Sequence, residues 1–205
     1  MTDTKIKICG ITNLNDGQLS VELGADYLGF NFYPPSPRYI EPQAAAEIIE
    51  ALSERKMNVG VFVNEDPERV IEIARLCDLD YVQLHGDETP EYCKDMEQSG
   101  VWVIKALRIK DREDMAAIDT YSQGTMLLDA FHEKLYGGSG ESFDWSWLTG
   151  DHGKLIFLAG GINPDNIEAA VQVGTYGIDL CSGVEASPGI KDEAKLKAIF
   201  AHQDG

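Results

Sequence analysis

"KIKICGITN", residues 5–13, holds a strand, a turn and a helix cap within nine residues. Lysine and isoleucine alternate up to Cys9, Gly10 breaks the pattern, and Asn13 is a residue type that caps helix N-termini. A strand period of two sends Lys5, Lys7 and Cys9 to one side and Ile6 and Ile8 to the other. The apolar side must be covered by helices, so Lys7 and Cys9 face inward. The following residues, 13–23, are predicted to be the first covering helix.

This βα unit recurs along the chain. Further strands are predicted in "DYLGFNF" (26–32), "NVGVFV" (58–63), "DYVQLH" (80–85), "VWVIKAL" (101–107), "TMLLDA" (125–130), "KLIFLA" (154–159) and "YGIDLC" (176–181). Helices are predicted at 42–55, 67–77 and 164–174, each opening with proline in its first turn. Eight strands, each followed by a helix, imply parallel pairing through right-handed crossovers. Eight units in 205 residues sit near the lower size limit of a barrel, about 200 residues. The expected fold class is α/β, a single-domain (β/α)8 or TIM barrel spanning residues 1–205. An open doubly wound sheet is the alternative architecture. No linker, low-complexity segment or other repeat interrupts the rhythm.

Composition narrows the partners. With 35 acidic against 17 basic residues the net charge is −18, which repels nucleic acid and anionic lipid. Any anionic small ligand then needs a locally positive pocket. No apolar run approaches the ~18 residues of a membrane span, and the polar "MTDTK" start is unlike a secretory signal. Cys9, Cys77, Cys93 and Cys181 are widely spaced with no CxxC pair, which favours reduced thiols in a cytoplasmic protein. The four histidines fall on unrelated elements, so no metal site is expected.

In a barrel, chemistry sits where strands end. Parity places Leu127 and Asp129 inward in the sixth strand, Asp179 and Cys181 in the eighth, and Gln83 and His85 in the fourth. Singly, a buried cysteine is an ordinary core residue, a strand-end aspartate a cap, and a rim histidine either a structural hydrogen-bonding group or a reacting one. Together on one rim, a thiol and a carboxyl group suit general base and general acid, with His85 and Asp179 as substrate-binding neighbours. Gly160 and Gly161 of "LAGGIN" and Ser182 and Gly183 of "CSGVE" follow strands seven and eight, where barrel phosphate sites form. "YGGSGESFDW" (136–145) reads as a mobile loop close to Asp129 and lacks the GK[ST] ending of a phosphate-binding Walker loop. "FYPPSPRYI" stiffens Arg38 with three prolines, fitting its guanidinium to grip a carboxylate.

The order of "KICGITN", "GADYLGFNFYPPSPRYI", "VGVFVN", "VQLHG", "LLDA" with "GGSGESFDW", "LAGGINPDN" and "SGVEASPGIKD" resembles the phosphoribosylanthranilate isomerases of tryptophan biosynthesis, from Lys5 to about Asp192. The resemblance implies a cofactor-free, metal-free Amadori rearrangement of N-(5-phosphoribosyl)anthranilate to 1-(2-carboxyphenylamino)-1-deoxyribulose 5-phosphate. It implies Asp129 as the acid, Cys9 as the base, Arg38 on the anthranilate carboxylate, and the glycine loops on the phosphate. The expected partner is that small phosphosugar-anthranilate substrate, with no nucleic acid and no membrane, in a monomer or homodimer. The family usually reads "DVSSGVE" where this chain has "DLCSGVE", so Cys181 replaces a serine. A phosphosugar epimerase would need strand-end metal ligands, and a purely phosphate-binding barrel would need neither Cys9 nor Asp129. Parity adds one expectation of its own. Lys7 lies one pleat below Cys9, beside Asp179 of the eighth strand; either its ammonium favours the thiolate while the carboxylate compensates it, or the two form a structural pair only.

Overall fold

A computed structural model describes residues 4–131, 137–138, 142–148 and 152–201. Eight parallel strands close a barrel in sequence order: β1 (Lys5–Cys9), β2 (Tyr27–Asn31), β3 (Met57–Phe62), β4 (Tyr81–Leu84), β5 (Trp102–Ile109), β6 (Thr125–Ala130), β7 (Leu155–Leu158) and β8 (Gly177–Leu180). Closure comes from β1 pairing with β8, with Lys7 opposite Asp179 and Ile8 opposite Leu180. The closed sheet excludes the open doubly wound alternative.

Strand alternation divides the core in two. Ile6, Ile8, Leu28, Phe30, Met126, Leu128, Ile178 and Leu180 pack outward against the helices. Tyr27, Val59, Ile104, Ala106, Leu127, Phe157 and Ala159 fill the barrel. Near its N-terminal end the Tyr27 and Phe157 rings meet edge-on at 5.1 Å, and the Tyr27 and Tyr176 hydroxyls are 2.8 Å apart. That plug closes the bottom, so solvent and ligands reach the interior from the opposite rim.

The covering helices are α1 (Leu14–Leu23), α2 (Pro42–Ala51), α3 (Pro67–Leu76), α4 (Pro90–Gln98), α5 (Ile167–Gln172) and α6 (Glu193–Ala201). Asn13 caps α1 by accepting from the Asp16 amide, as its residue type predicts. Two predicted helices are shorter in the structure. The one expected over 42–55 stops at Ala51, because Leu52 turns extended and the Ser53 amide bonds Gln18 instead. The one expected over 164–174 narrows to Ile167–Gln172.

Nor is every strand followed by an α-helix. After β5 the chain forms a 3-10 segment, Arg112–Thr120, in which Ile118 is the sole buried side chain, too little apolar surface to hold a helix against the barrel. After β6 the described residues contain one short 3-10 turn, Trp145–Trp147. Beyond β8 a 3-10 turn, Ser182–Val184, leads into a small antiparallel hairpin of β9 (Glu185–Ser187) and β10 (Ile190–Lys191) that the βα rhythm does not announce.

Candidate active site

Cys9 ends β1 with its thiol inside the barrel, where the neighbouring strand provides room. Its register partner is Gly29 of β2, and a methyl group there would come within 2.7 Å of the Cys9 sulfur. Below the thiol, the Lys7 ammonium is fully buried and donates to Asp179 at 2.7 Å. Burial works against that ammonium, but the Asp179 carboxylate and the Cys9 thiol outweigh it and hold Lys7 charged. Burial raises the Asp179 carboxyl to about 6, a rise that Lys7 limits. The expected Lys7–Asp179 pair is therefore present.

The Cys9 thiol lies well below the ordinary thiol range. Its largest influence is a hydrogen bond from Cys181, one step beyond the Ile8–Leu180 register pair; burial opposes it, and Lys7 and Lys191 add to it. Cys181, as the donor, is shifted the other way. The serine-to-cysteine departure thus puts a second thiol beside the first.

Across the rim, Asp129 is the penultimate residue of β6, one carboxylate oxygen accepting its neighbour's amide, from Ala130 at 2.9 Å. The other oxygen lies 3.4 Å from His85 Nε2. Gln83, on the same inward face of β4, places its amide nitrogen 2.8 Å from His85 Nδ1. The loop behind the histidine is fixed by Lys105, which donates to the carbonyls of Leu84 and Gly86 and to Glu88 at 2.7 Å.

A cleft opens at this rim, and six of the expected site residues line it: Asp129, Gly160, Gly161, Asp179, Ser182 and Gly183. Gly183 has no alternative, since a methyl group there would sit 1.9 Å from the Ile162 carbonyl oxygen. The close approach packs the β8 turn onto the β7 loop and brings both glycine segments to one wall. His85 borders the cleft through Asp129. Arg38 borders it through Gly138, where a methyl group would be 2.7 Å from the guanidinium Nη1. Gly137 of the glycine-rich stretch lies against His85 and Asp129, as expected of a loop close to the acid. Residues 136 and 139–141, and with them the reading of mobility, lie outside the described residues.

Arg38 differs from expectation in one respect. Its Nε and Nη2 bond Glu185 at 2.7 to 3.1 Å, so one face of the fork is already occupied and Nη1 lies outside that pair. Glu185 and the buried Lys191 were not singled out from the sequence. The signal was a glutamate and a lysine within "EASPGIK", where neither the proline nor the short strands suggest burial. Among the described residues no group of three or more His, Cys, Asp or Glu side chains is arranged to hold a metal ion, and no helix is long and apolar enough to cross a membrane.

Residues 6–202 match the sequence profile of the N-(5'-phosphoribosyl)anthranilate (PRA) isomerase family. The chain is 47% identical over 200 residues to the N-(5'-phosphoribosyl)anthranilate isomerase of Citrifermentans bemidjiense, covering 97% of this chain and 96% of that one. Its fold superposes with TM-score 0.91 on the crystal structure of phosphoribosyl anthranilate isomerase from Thermotoga maritima, 40% identical and covering 98% and 99% of the two chains. It superposes with TM-score 0.86, at 39% identity over 98% and 99%, on a phosphoribosyl anthranilate isomerase in complex with reduced 1-(o-carboxyphenylamino)-1-deoxyribulose 5-phosphate. Barrel, rim and sequence agree, and the chain belongs to the N-(5'-phosphoribosyl)anthranilate isomerase family.

Proposed function

We propose that this isomerase opens and rearranges N-(5'-phosphoribosyl)anthranilate by acid and base groups of its own rim, with Asp129 as acid and Cys9 as base. Asp129 gives its proton to the furanose ring oxygen as the bond from that oxygen to the first sugar carbon breaks, leaving an open-chain Schiff base. The Cys9 thiolate takes the proton from the second sugar carbon, and the electron pair moves to the iminium nitrogen to form an enolamine. Tautomerisation gives the ketone, 1-(2-carboxyphenylamino)-1-deoxyribulose 5-phosphate. Arg38 grips the anthranilate carboxylate through its Nη1 end, while Gly160, Gly161, Ser182 and Gly183 donate to the phosphate. His85 and Asp179 hydrogen-bond the sugar between them.

The observation that supports this most directly is the shared cleft. Asp129 and the glycine loops line it, and the Lys7–Asp179 pair joins it to Cys9. Four cysteines widely spaced along the chain, with no CxxC pair, further suit the cytoplasm, the compartment we assign. The test follows loss of the fluorescent anthranilate adduct, made in situ from anthranilate and phosphoribosyl pyrophosphate with its transferase. Chelator-treated protein should consume the adduct, and Asp129→Asn should not, because an amide is no proton donor of that kind. Consumption at the parent rate by Asp129→Asn would move the acid elsewhere.

A further inference from the structure

The β9–β10 hairpin carries two buried charges that the steps above leave unused. Glu185 opens β9 and Lys191 lies in β10, both almost fully buried, with 3.1 Å between ammonium and carboxylate. Each also reaches a different part of the site. Glu185 holds Nε and Nη2 of Arg38. Lys191 donates to the main-chain carbonyl of Cys9 at 2.5 Å and to that of Cys181 at 3.5 Å. The hairpin is itself anchored to the start of α1. The Thr12 hydroxyl donates to the Gly189 carbonyl at 2.5 Å and the Lys191 amide donates to Asp16 at 2.8 Å, while within the hairpin the Gly189 amide donates to Glu185 at 3.2 Å.

We propose that Glu185 and Lys191 are positioning residues for the isomerisation, a single bridge that sets the Arg38 guanidinium relative to the backbone of Cys9. This rests on the reading of Cys9 as base and Arg38 as carboxylate grip. The substrate's carboxylate and its second sugar carbon belong to one small molecule, so the groups that meet them must keep a fixed separation. Arg38 arrives on the loop after β2, and Cys9 is on β1. The hairpin ties them through side chains that reach both. Stability alone does not explain the choice of charges, because apolar residues of similar volume serve a buried position equally well or better. What apolar residues lack is the ability to hold a guanidinium and two carbonyls at once.

The bridge has an electrostatic consequence as well. Charged and titratable groups facing Cys9 are Lys7 on its own strand, Asp179 on β8, Cys181 just after β8, Arg38 on the β2 loop and Lys191 on β10. Lys191 acts with Lys7 in favouring the thiolate, whereas Asp179 opposes both.

The experiment uses Glu185→Gln, Lys191→Met, Lys191→Arg and the double variant Glu185→Gln/Lys191→Met, with Cys9→Ser alongside. Glu185→Gln should raise KM more than it lowers kcat, by up to about 100-fold for a misplacement near 1 Å. Lys191→Met should lower kcat and move alkylation of Cys9 by iodoacetamide to higher pH, and Lys191→Arg should return the alkylation profile toward the parent's. Where a single variant leaves an unpaired buried charge and fails to fold, the double variant, neutral at both positions, should fold and show both defects. Folded variants with parental KM, kcat and alkylation profile would reduce the pair to scaffold. Parental activity in Cys9→Ser would instead overturn the assignment of the base, a separate result from the hairpin's.

Discussion

Cys9 is set apart from the other thiols by its neighbours. Cys77 and Cys93 are buried among apolar side chains, which pushes both up to about 11. Cys9 is buried too, yet the Cys181 hydrogen bond and the Lys7 and Lys191 charges reverse the sign of its shift. Iodoacetamide at neutral pH should therefore modify Cys9 first, with loss of activity in parallel, as peptide mass spectrometry would read directly. Modification of Cys77 or Cys93 ahead of Cys9 would contradict this ordering. Cys9→Ser should keep the fold and lose turnover on the order of 10²- to 10⁴-fold, the usual contribution of a positioned acid or base. The inward placement of the thiol was legible in the sequence because it depends on one strand's parity. Its tuning was only partly so: Lys7 shares that strand, whereas Lys191 lies 182 positions away and reaches it through tertiary structure alone.

Between β1 and β8 the sequence reading succeeded for a geometric reason. Alternation in a closed parallel sheet is a strict period of two, and the isoleucines, needing helices over them, fixed its phase. The Lys7–Asp179 pair followed from closure. It also has a calculable pH signature. The unfolded carboxyl titrates near 3.9 and the folded Asp179 at about 6, so the folded state holds this proton more tightly. Its contribution is fully present below about pH 4 and is lost as pH rises through about 6. Lys7→Met removes the cation that limits the rise, so the variant should be destabilised more at pH 8 than at pH 5, by about 3–5 kcal/mol at the higher pH. Urea unfolding at the two pH values measures it, and an equal loss at both would show that Asp179 does not titrate with folding. The hairpin, by contrast, was illegible. Strands of three and two residues have no period to read, and the Arg38–Glu185 contact spans 147 positions. The turn before it is visible only as a glycine. Gly183→Ala must displace backbone, since the Ile162 oxygen already occupies the space. We expect kcat/KM to fall on the order of 100-fold with the thermal midpoint only slightly lowered; parental kinetics would detach this turn from the phosphate.

For the whole molecule the governing quantity is charge. The chain carries −18, and its proposed substrate is an anion at both ends, with a phosphate and a carboxylate. The site does not cancel that field at long range. Lys7, Arg38 and Lys191 supply three positive charges, but Asp179, Glu185 and the Cys9 thiolate set three negative ones against them at close quarters. Such a cluster holds an anion by directed hydrogen bonds over a few ångströms and attracts little beyond a Debye length, about 8 Å at physiological ionic strength. What an approaching substrate meets first is the repulsion of the acidic surface. Salt should then act in the direction opposite to that of an electrostatically steered enzyme. Between about 10 mM and about 150 mM sodium chloride, screening weakens the repulsion and kcat/KM should rise, while kcat, set within the closed network, should stay nearly constant. A fall in kcat/KM over that range, reproduced with a salt whose anion binds more weakly than chloride, would mean that the rim projects a net positive field after all and that the compensation counted above is incomplete.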